Sequence, residues 1–373
     1  MFETKEEKEK FYKMLKVKIV VFICTTICLL LTLFFSSTLE KFLNPNYYFN
    51  LSNDILNSEV KIHFIDVGQG DCIFIELPNN KKVMIDTGSK ESEERVKRYL
   101  TNRGVNNGNK IDYLILTHTD SDHVGNAAMI LKNYEIENIF MPMVYSNYEV
   151  KNNLINEEYN INKTILWEDI CKNVAGEVKN GANKYYSFKD LVIEDDNGEY
   201  SFLFLSPFNI KQSNSNDYSP IILFNFNGFK FLFVGDIEEE VEKEFLQYYK
   251  DIYAVLDVDV LKVSHHGSKN STSEEFLNVT KPEYSIISCG RENNYNHPNN
   301  ETINRLTNIN SSILRTDTTS SIVFGLNNNS FTPKMVVQTS YDTFENTYFY
   351  WWYFVVGGVV VCGFLIFAFK IKG

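Results

Sequence analysis

The sequence predicts an α/β (α+β) fold in which two β-sheets pack face to face between outer helices, as an αββα sandwich. Each half of the central region carries short apolar strands followed by strand–helix units, which is typical of this layered architecture. Histidine and aspartate residues follow the ends of strands in both halves. A long apolar segment near each terminus lies outside this region and predicts a transmembrane helix on either side of the sandwich.

The two apolar segments predict membrane anchors. Residues 19–35 and 348–369 are almost continuously apolar, and each is long enough to cross the roughly 30 Å hydrocarbon layer of a bilayer. A secretory signal peptide is the alternative for the first segment, but no small-residue cleavage pattern follows Phe35. We therefore interpret the first segment as an uncleaved anchor, and the lipid bilayer as a partner of the chain.

Lysines flank these segments on their outer sides, before the first and at Lys370 and Lys372 after the second. The positive-inside rule then places both termini in the cytoplasm and the region between the segments outside the cell. The sequence thus predicts a two-pass protein of the cell membrane. Its predicted parts are a cytoplasmic lead (1–18), a transmembrane helix (19–35), a stalk (36–58), a globular domain (59–335) and a second transmembrane helix (348–369).

Three strands joined by tight turns open the globular domain. We predict them at 60–66, 72–77 and 82–86, where they form an antiparallel meander. After one helix, the apolar, β-branched run at 111–116 predicts a buried strand. A polar turn follows this strand, and residues 125–132 predict the start of a helix.

A polar, Asn-rich segment at 141–198 separates the two halves, and we interpret it as an insertion with one amphipathic part at 165–174. The second half resumes the pattern of strands and helices. Strands are predicted at 200–205, 220–226, 229–234, 258–263, 283–288, 313–315 and 321–324, and helices at 237–249, 273–279 and 300–306.

Composition limits the classes of function. The chain has 373 residues and a formal net charge of −12, so its overall field does not attract polyanions. Cys72, Cys171 and Cys289 lie outside the apolar segments at wide spacing. An odd number at such spacing predicts no disulfide framework.

The densest group of chemically active residues lies on the turn after the strand at 111–116. His118, Asp120, Asp122 and His123 are all on this turn, where the backbone can aim several side chains at one point. Neutral imidazole and carboxylate are the ligands of a hydrolytic divalent metal. The turn therefore predicts a metal site.

Further candidates also follow strands. Asp86 ends the third strand, and Asp236 follows the predicted hairpin through a glycine. His265 and His266 follow a buried strand, and His297 precedes a proline. Because adjacent strand residues point to opposite faces, we expect only one of His265 and His266 to reach the metals. Each residue alone is a common turn residue, but together they predict one site at the strand ends.

The run His118-x-Asp120-x-Asp122-His123-x-Gly125, followed by Gly235-Asp236 and a strand-ending histidine, resembles the metallo-β-lactamase superfamily of binuclear metal hydrolases. Four further motifs are similar to the hydrolase domain at the end of ComEC-type competence DNA-uptake proteins. They are DVGQGD (66–71), IDTG (85–88), SHHGS (264–268) and NHP (296–298). The resemblance covers residues 60–326 apart from the insertion. Asn126 stands in place of the second glycine of the metal motif, and NDYS (216–219) stands in place of the third-motif histidine.

The resemblance implies two divalent metal ions. His118 and Asp120 would hold the first ion, Asp122 and His123 the second, and Asp236 would bridge them, with His265 completing the set and His266 as its alternate. Asp122 or Asp120 would accept a proton, and His297 or His266 would steady the leaving group. Zinc is the default metal. Because the carboxylate of Asp120 is a harder ligand than an imidazole, manganese or iron are the alternatives.

These features predict a membrane-tethered, metal-dependent hydrolase that acts outside the cell, on a phosphodiester such as nucleic acid. Hydrolysis of a small ester, lactone or β-lactam is the second hypothesis, because members of a superfamily share the site and not the substrate. A non-catalytic membrane scaffold with a vestigial site is the third. The sequence names no membrane channel or uptake partner.

Basic residues near the strand ends predict how an acidic domain could admit a nucleic acid. Their charges would form a local rim around the metals and attract phosphates at short range. The predicted rim consists of Lys262, Lys269, Arg291, Arg305 and Arg315.

Overall fold

The computed structural model describes residues 4–6, 8–16, 51–152, 154, 160–291, 293–328 and 334–340. The chain divides into two compact units, Met1–Asn50 with Thr343–Gly373 and Leu51–Asp342. Within the first unit, residues 5–6 and 8–16 are helical. No helix among the described residues is long and apolar enough to cross a membrane. The apolar segments at 19–35 and 348–369 lie outside the described residues, as does the stalk as far as residue 50.

The second unit contains two large sheets. The first has eight strands, in the spatial order β17 (Lys334–Ser340), β16 (Ser321–Asn327), β1 (Val60–Phe64), β2 (Ile73–Glu76), β3 (Lys82–Ile85), β4 (Lys110–Ile115), β5 (Glu135–Met141) and β8 (Asn183–Tyr186). β1, β2 and β3 pair antiparallel, which confirms the predicted meander. β3, β4 and β5 then run parallel, so their carboxyl ends share one edge.

The second sheet has seven strands, in the order β15 (Ser312–Arg315), β14 (Tyr284–Ile287), β13 (Val260–Lys262), β12 (Phe229–Phe233), β11 (Ile222–Phe226), β10 (Tyr200–Phe204) and β9 (Val192–Glu194). The predicted hairpin is confirmed, because β11 and β12 pair antiparallel around Asn227 and Gly228. β12, β13, β14 and β15 run parallel. A separate two-stranded ribbon pairs β6 (Tyr145–Ser146) with β7 (Ile161–Asn162).

Helices lie on the outer faces of the two sheets. They are α1 (Asn53–Leu56), α2 (Glu93–Asn102), α3 (Ser121–Val124), α4 (Ala127–Asn133), α5 (Asn147–Lys151), α6 (Ile165–Lys179), α7 (Glu239–Tyr248), α8 (Glu274–Thr280), α9 (Asn300–Asn308) and α10 (Thr316–Thr319). α7, α8 and α9 pack on the second sheet through a core that includes Val241, Phe276 and Leu306. α2 packs against the first sheet, where Tyr99 bonds His63 of β1.

The main core lies between the two sheets. Val60, Ile62 and Phe64 alternate along β1 and point into it, and Phe224 and Phe231 point in from the second sheet. Burial of these aromatic and branched side chains stabilises the two sheets against each other by the hydrophobic effect. Both sheets therefore present their carboxyl ends as rigid supports for the loops beyond them.

The structure differs from the sequence prediction at the borders of the domain. The folded unit begins at Leu51 rather than 59, because Leu51 and Ile55 of the predicted stalk bury themselves against Val323. The segment at 141–198 supplies β8 to one edge of the first sheet and β9 to one edge of the second. β17 extends the other edge of the first sheet and lies partly beyond the predicted end of the domain.

Candidate metal centre

The predicted site residues meet where the strands of the two sheets end. Asp86 follows β3, and the turn from Thr117 to His123 follows β4. Asp236 follows β12, and His266 follows β13. Because these strands are parallel neighbours within each sheet, their loops open at the same edge. The first sheet thus supplies His118, Asp120, Asp122 and His123, and the second supplies Asp236 and the His265–His266 pair.

His123 is fully buried, and Asp86 fixes its ring from the Nδ1 side. Its Nδ1 lies 2.7 Å from Asp86 Oδ2, and its Nε2 lies 3.2 Å from Asp236 Oδ2. Asp86 also accepts hydrogen bonds from the backbone N–H and the hydroxyl of Thr117, at 2.8 and 2.6 Å. Asp86 therefore orients the ring and leaves Nε2 to face the centre of the site.

His118 is also fully buried. Its Nδ1 lies 3.0 Å from Thr117 Oγ1 and 3.3 Å from Ser219 Oγ. Its Nε2 is buried and has no hydrogen-bond partner among the described residues, and Asp120 Oδ2 is 4.0 Å away. Since a buried ring nitrogen without a partner is costly, this atom indicates a position where a cation belongs.

The two adjacent histidines take different positions. His266 is buried, with its Nδ1 2.8 Å from the carbonyl oxygen of Ser288 and its Nε2 3.3 Å from Asp236 Oδ2. His265 is 25% exposed at its side chain, and its Nε2 lies 3.9 Å from the same oxygen. Both have positive φ angles, of 47° and 54°, which is unusual for residues other than glycine. The geometry favours His266 as the ligand.

Asp236 lies at the centre of the group. Its Oδ2 is close to His123, His265 and His266, and its Oδ1 is buried without a hydrogen-bond partner among the described residues. Gly235, at φ +52°, precedes it, and a Cβ there would lie 2.7 Å from Cβ of Ser219. Only glycine therefore allows the chain to place Asp236 here.

The two aspartates of the ligand turn lie nearer to solvent. Asp122 Oδ2 is 3.4 Å from His266 Nε2, and the side chain of Asp120 is 46% exposed. The loop between β1 and β2 supports this turn, because Asp71 N–H donates to the carbonyl of Asp122 at 3.3 Å. A Cβ on Gly70 would lie 2.1 Å from that carbonyl oxygen, so the close approach requires glycine.

The donor set fits a divalent metal. In His118, His123 and His266, Nδ1 makes a hydrogen bond to a protein group away from the centre of the site. This leaves each Nε2 for ligation, as in most protein metal sites. His123 Nε2 lies 3.2 Å from His266 Nε2. Ligand atoms of Asp71, His123, Asp236 and His266 all lie within 4.8 Å of one another. Such a convergence of imidazole and carboxylate is what a metal ion requires.

The protonation states of the predicted ligands differ. Burial raises the pKa of Asp236, but His123 and His266 outweigh it and hold that pKa well below its usual value. Burial and the neighbouring His123 lower the pKa of His118. Burial lowers the pKa of His123 and of His266, but the neighbouring carboxylates outweigh it; they raise the pKa of His123 well above its usual value and that of His266 to about 9. Asp236 is therefore ionised and His118 neutral, as metal ligation needs, whereas His123 and His266 must release a proton to bind a metal.

A buried ion pair behind His266 was not predicted from the sequence. Lys262 Nζ lies 2.8 Å from Asp71 Oδ2 and donates to the carbonyl of Val263 at 3.0 Å. Asp71 Oδ1 lies 3.7 Å from His266 Nδ1, and a carboxylate oxygen of Asp71 belongs to the group of ligand atoms within 4.8 Å that includes His123 and Asp236. The pair joins the β1–β2 loop of the first sheet to β13 of the second. The sequence does not distinguish a buried, paired lysine at a strand end from an exposed one.

The predicted basic rim is therefore wrong for Lys262, which is buried. Arg315 is occupied as well, because it makes a two-bond ion pair with Asp317 at 2.6 and 3.0 Å. Arg305 donates to the carbonyls of Lys269 and Ser271. The guanidinium groups of Arg305 and Arg315 thus bind protein groups, which leaves them less able to bind a substrate phosphate.

The two departures from the family pattern have structural explanations. Asn126 is buried, and its Nδ2 donates to the carbonyls of Thr87 and Ser89 at 2.9 and 2.6 Å. It thereby ties the ligand turn to the loop after β3. Ser219, in the segment that replaces the third-motif histidine, accepts a hydrogen bond from the backbone N–H of Asp236 at 3.2 Å and lies behind His118.

The remaining histidines lie at different distances from the site. The ring of His297 is 5.5 Å from that of His265 and 6.4 Å from that of His266, measured between centroids. Burial, then the charges of His265 and His266, lower the pKa of His297 to about 4. His63, whose position in mid-strand predicts a packed role, is buried between Tyr99 and Glu76 on the outer face of the first sheet.

Comparison with known proteins agrees with this geometry. Residues 65–291 match the metallo-beta-lactamase superfamily. The chain is 32% identical over 310 residues to ComE operon protein 3 of Bacillus subtilis, covering 78% of this chain and 36% of that protein. It is 30% identical over 251 residues to Recombination protein 2 of Haemophilus influenzae, covering 66% and 26%. The chain thus spans roughly a third or less of the length of these relatives.

A third relative is Competence protein ComA of Neisseria gonorrhoeae, which is 26% identical over 275 residues, covering 72% of this chain and 33% of that protein. Among solved structures, YhfI of Bacillus subtilis, a metallo-beta-lactamase fold protein, has a TM-score of 0.41 at 8% identity, covering 69% of this chain and 96% of that one. The resemblance to ComEC-type competence proteins is confirmed by the curated relatives. The chain belongs to the metallo-β-lactamase superfamily, and its buried ligand group makes it a metal-dependent hydrolase of that fold.

Proposed function

We propose that the protein is a membrane-tethered phosphodiesterase that cleaves nucleic acid outside the cytoplasm. The observation that carries the hydrolytic part is the convergence of His123 and His266 on Asp236, with His118 beside His123. Asp236 Oδ1 has no partner among the described residues. The names of two relatives, a competence protein and a recombination protein, direct the proposal to nucleic acid. Since the chain spans only part of these proteins, the substrate is tested separately below.

The distances support the following ligand roles. His118 and Asp120 would hold one cation, Asp122, His123 and His266 would hold the other, and Asp236 would serve both. This assignment takes His266 rather than His265 as the ligand. His265, at 3.9 Å from Asp236 Oδ2 and partly exposed, faces the substrate side.

Two divalent cations, zinc by default and manganese or iron as alternatives, supply Lewis-acid activation of water and stabilise the charge that develops on the phosphate. Asp120 is half-exposed at the mouth of the site, where its carboxylate can accept the proton of the attacking water. The ring of His297 lies 5.5 Å from that of His265, and its N–H would donate a hydrogen bond to the leaving oxygen. Asp86 and Ser288 keep the ligating rings in place throughout.

The experiment uses the detergent-solubilised full-length protein. Metal content is measured first, with two divalent ions per chain expected. Turnover is then measured on a single-stranded oligonucleotide, on bis(4-nitrophenyl) phosphate and on nitrocefin. We expect cleavage of both phosphodiesters and none of nitrocefin.

Each hypothesis has its own outcome. Cleavage of nitrocefin or of a small ester without cleavage of either phosphodiester would establish the small-molecule hydrolase. A fully metallated protein that cleaves none of these substrates would establish the scaffold. The variant Asp236→Asn serves as the negative control, because it removes the carboxylate between the two proposed metal positions.

A further inference from the structure

A groove of about 800 Å³ opens beside the metal-binding residues, on the side of His297. Its volume lies in the range of small-molecule binding sites. Asparagine side chains dominate its lining, and we call it the amide groove. Besides His297, its lining includes Asn293, Asn296, Asn299, Asn300 and Asn304.

The amide groove offers little free positive charge. Arg315 lines it, but its Nε and Nη2 donate to Asp317, which neutralises its charge, at 3.0 and 2.6 Å. Arg291 Nε donates to the carbonyl of Asp317 at 2.7 Å. Glu301 adds a carboxylate to the lining. A groove of this kind suits a neutral group with both donors and acceptors better than it suits a phosphate.

Two of the asparagines hold the groove in shape. Asn293 Nδ2 donates to the carbonyls of Gly290 and His297, and its Oδ1 accepts from the backbone N–H of His297 at 3.0 Å. Asn299 Oδ1 accepts from the backbone N–H of Glu301 at the start of α9. The other three, Asn296, Asn300 and Asn304, are exposed and available to a ligand.

An exposed aromatic ring adjoins the amide groove, because Tyr295 directly precedes Asn296 and His297, which both line it. The Tyr295 side chain is 66% exposed, and its ring stacks on that of His297 at 5.8 Å between centroids and 27° between planes. His297 Nδ1 is buried without a hydrogen-bond partner among the described residues. The His297 ring lies 5.5 Å from that of His265, so one ring separates Tyr295 from the histidine pair.

We propose that the amide groove binds an unpaired nucleobase of the substrate, stacked on Tyr295 and hydrogen-bonded by Asn300 and Asn304. Amide side chains match the donor–acceptor pattern of base edges, and exposed aromatic rings bind bases of single strands without regard to sequence. The assignment deepens the proposed function and rests on it. It predicts a preference for single-stranded over double-stranded nucleic acid, because a paired base cannot enter the groove.

The test compares two fluorescent oligonucleotides of equal length, one normal and one abasic, with the full-length protein in detergent. Binding is measured by anisotropy in the presence of a chelator, and KM is measured with metal. Tyr295→Ala should weaken binding of the normal strand about 10-fold, and the double variant Asn300→Ala/Asn304→Ala by a similar factor. Neither variant should change binding of the abasic strand.

Tyr248→Ala is the matched control, because Tyr248 is 53% exposed at the end of α7 and lines a separate pocket with Lys189 and Phe208. Equal losses on the normal and the abasic strand, or no loss on either, would overturn the nucleobase assignment while leaving a nuclease intact. Groove-dependent binding without any cleavage of the normal strand would instead reject the proposed activity and keep the binding site.

Discussion

Asp86 shows how much one side chain can contribute without touching the metal. It is buried, and it accepts hydrogen bonds from the backbone N–H and hydroxyl of Thr117 while its Oδ2 faces His123 Nδ1. The hydroxyl of Thr117 in turn lies 3.0 Å from His118 Nδ1. One carboxylate therefore orders two ligating rings.

Asp86→Asn should lower metal affinity about 10- to 100-fold, because the amide keeps the shape but loses the charge that orients His123. Competition with a fluorescent chelator measures the change. Asp112→Asn is the control, since Asp112 is buried near the start of β4 and bonds the backbone N–H of Lys82. Unchanged affinity in Asp86→Asn would refute the orienting role.

The adjacent histidines give a second residue-level prediction. His266→Ala should lose bound metal, whereas His265→Ala should keep it, because only His266 is buried with its Nδ1 anchored on Ser288. Elemental analysis of the purified variants decides between them. Retention of metal by His266→Ala together with its loss from His265→Ala would reverse the assignment.

Glu76 predicts an acid-sensitive contribution to stability. Burial raises its pKa, but the hydrogen bond with His63 and the charges of His63 and Lys61 outweigh burial and lower the pKa to about 2. The folded pKa lies below the usual value of 4.5, so Glu76 stabilises the fold above pH 4.5, and this contribution is lost as the pH falls towards 2.

Glu76→Gln should therefore flatten the fall in unfolding free energy between pH 4.5 and 2, by at most about 1.4 kcal/mol per pH unit. Urea titrations at several pH values measure it. The exposed Glu94→Gln is the control, and a curve for Glu76→Gln parallel to the wild-type one would contradict the prediction.

At the scale of elements, the Lys262–Asp71 pair connects β13 to the β1–β2 loop. Lys262→Met leaves the carboxylate of Asp71 buried and uncompensated, which should cost about 3–5 kcal/mol of unfolding free energy. Urea unfolding measures the loss. The double variant Lys262→Met/Asp71→Leu should recover part of it, since removing both charges is far less costly than removing one.

A second buried carboxylate offers a control for this loss. Glu149 pairs with Lys184 but also accepts hydrogen bonds from Ser146, in a part of the fold contributed by the segment at 141–198. Lys184→Met should destabilise the fold less and leave metal content unchanged, whereas Lys262→Met should lower metal affinity as well. Equal effects of both on metal binding would refute a link between the Lys262–Asp71 pair and His266.

The sequence predicts an element well where a clear apolar pattern is directly followed by residues of recognisable chemistry. The β4 strand and its ligand turn were predictable, because an apolar β-branched run leads directly into clustered imidazoles and carboxylates. β8 and β9 were not, because edge strands carry little apolar pattern and depend on pairing with distant partners. Lys262 is buried because it pairs with Asp71, which is distant in the sequence. The residues around Lys262 in the sequence do not predict this pairing.

At the scale of the whole molecule, orientation across the membrane is the open prediction. The lysines outside the apolar segments place both termini in the cytoplasm. An alkaline phosphatase fusion after Phe331 should be active, and one after Gly373 inactive. The opposite pattern would place the domain in the cytoplasm.

The ligand set is divided between two sheets, and His123 lies 143 residues before His266. A chain that is still being made or translocated therefore presents half of the donors long before the other half exists. A metal ion can be held firmly only once everything through His266 has folded, and it then adds its binding free energy to the stability of the native state. The fraction of chains that hold metal therefore reports the fraction in which the domain has folded completely.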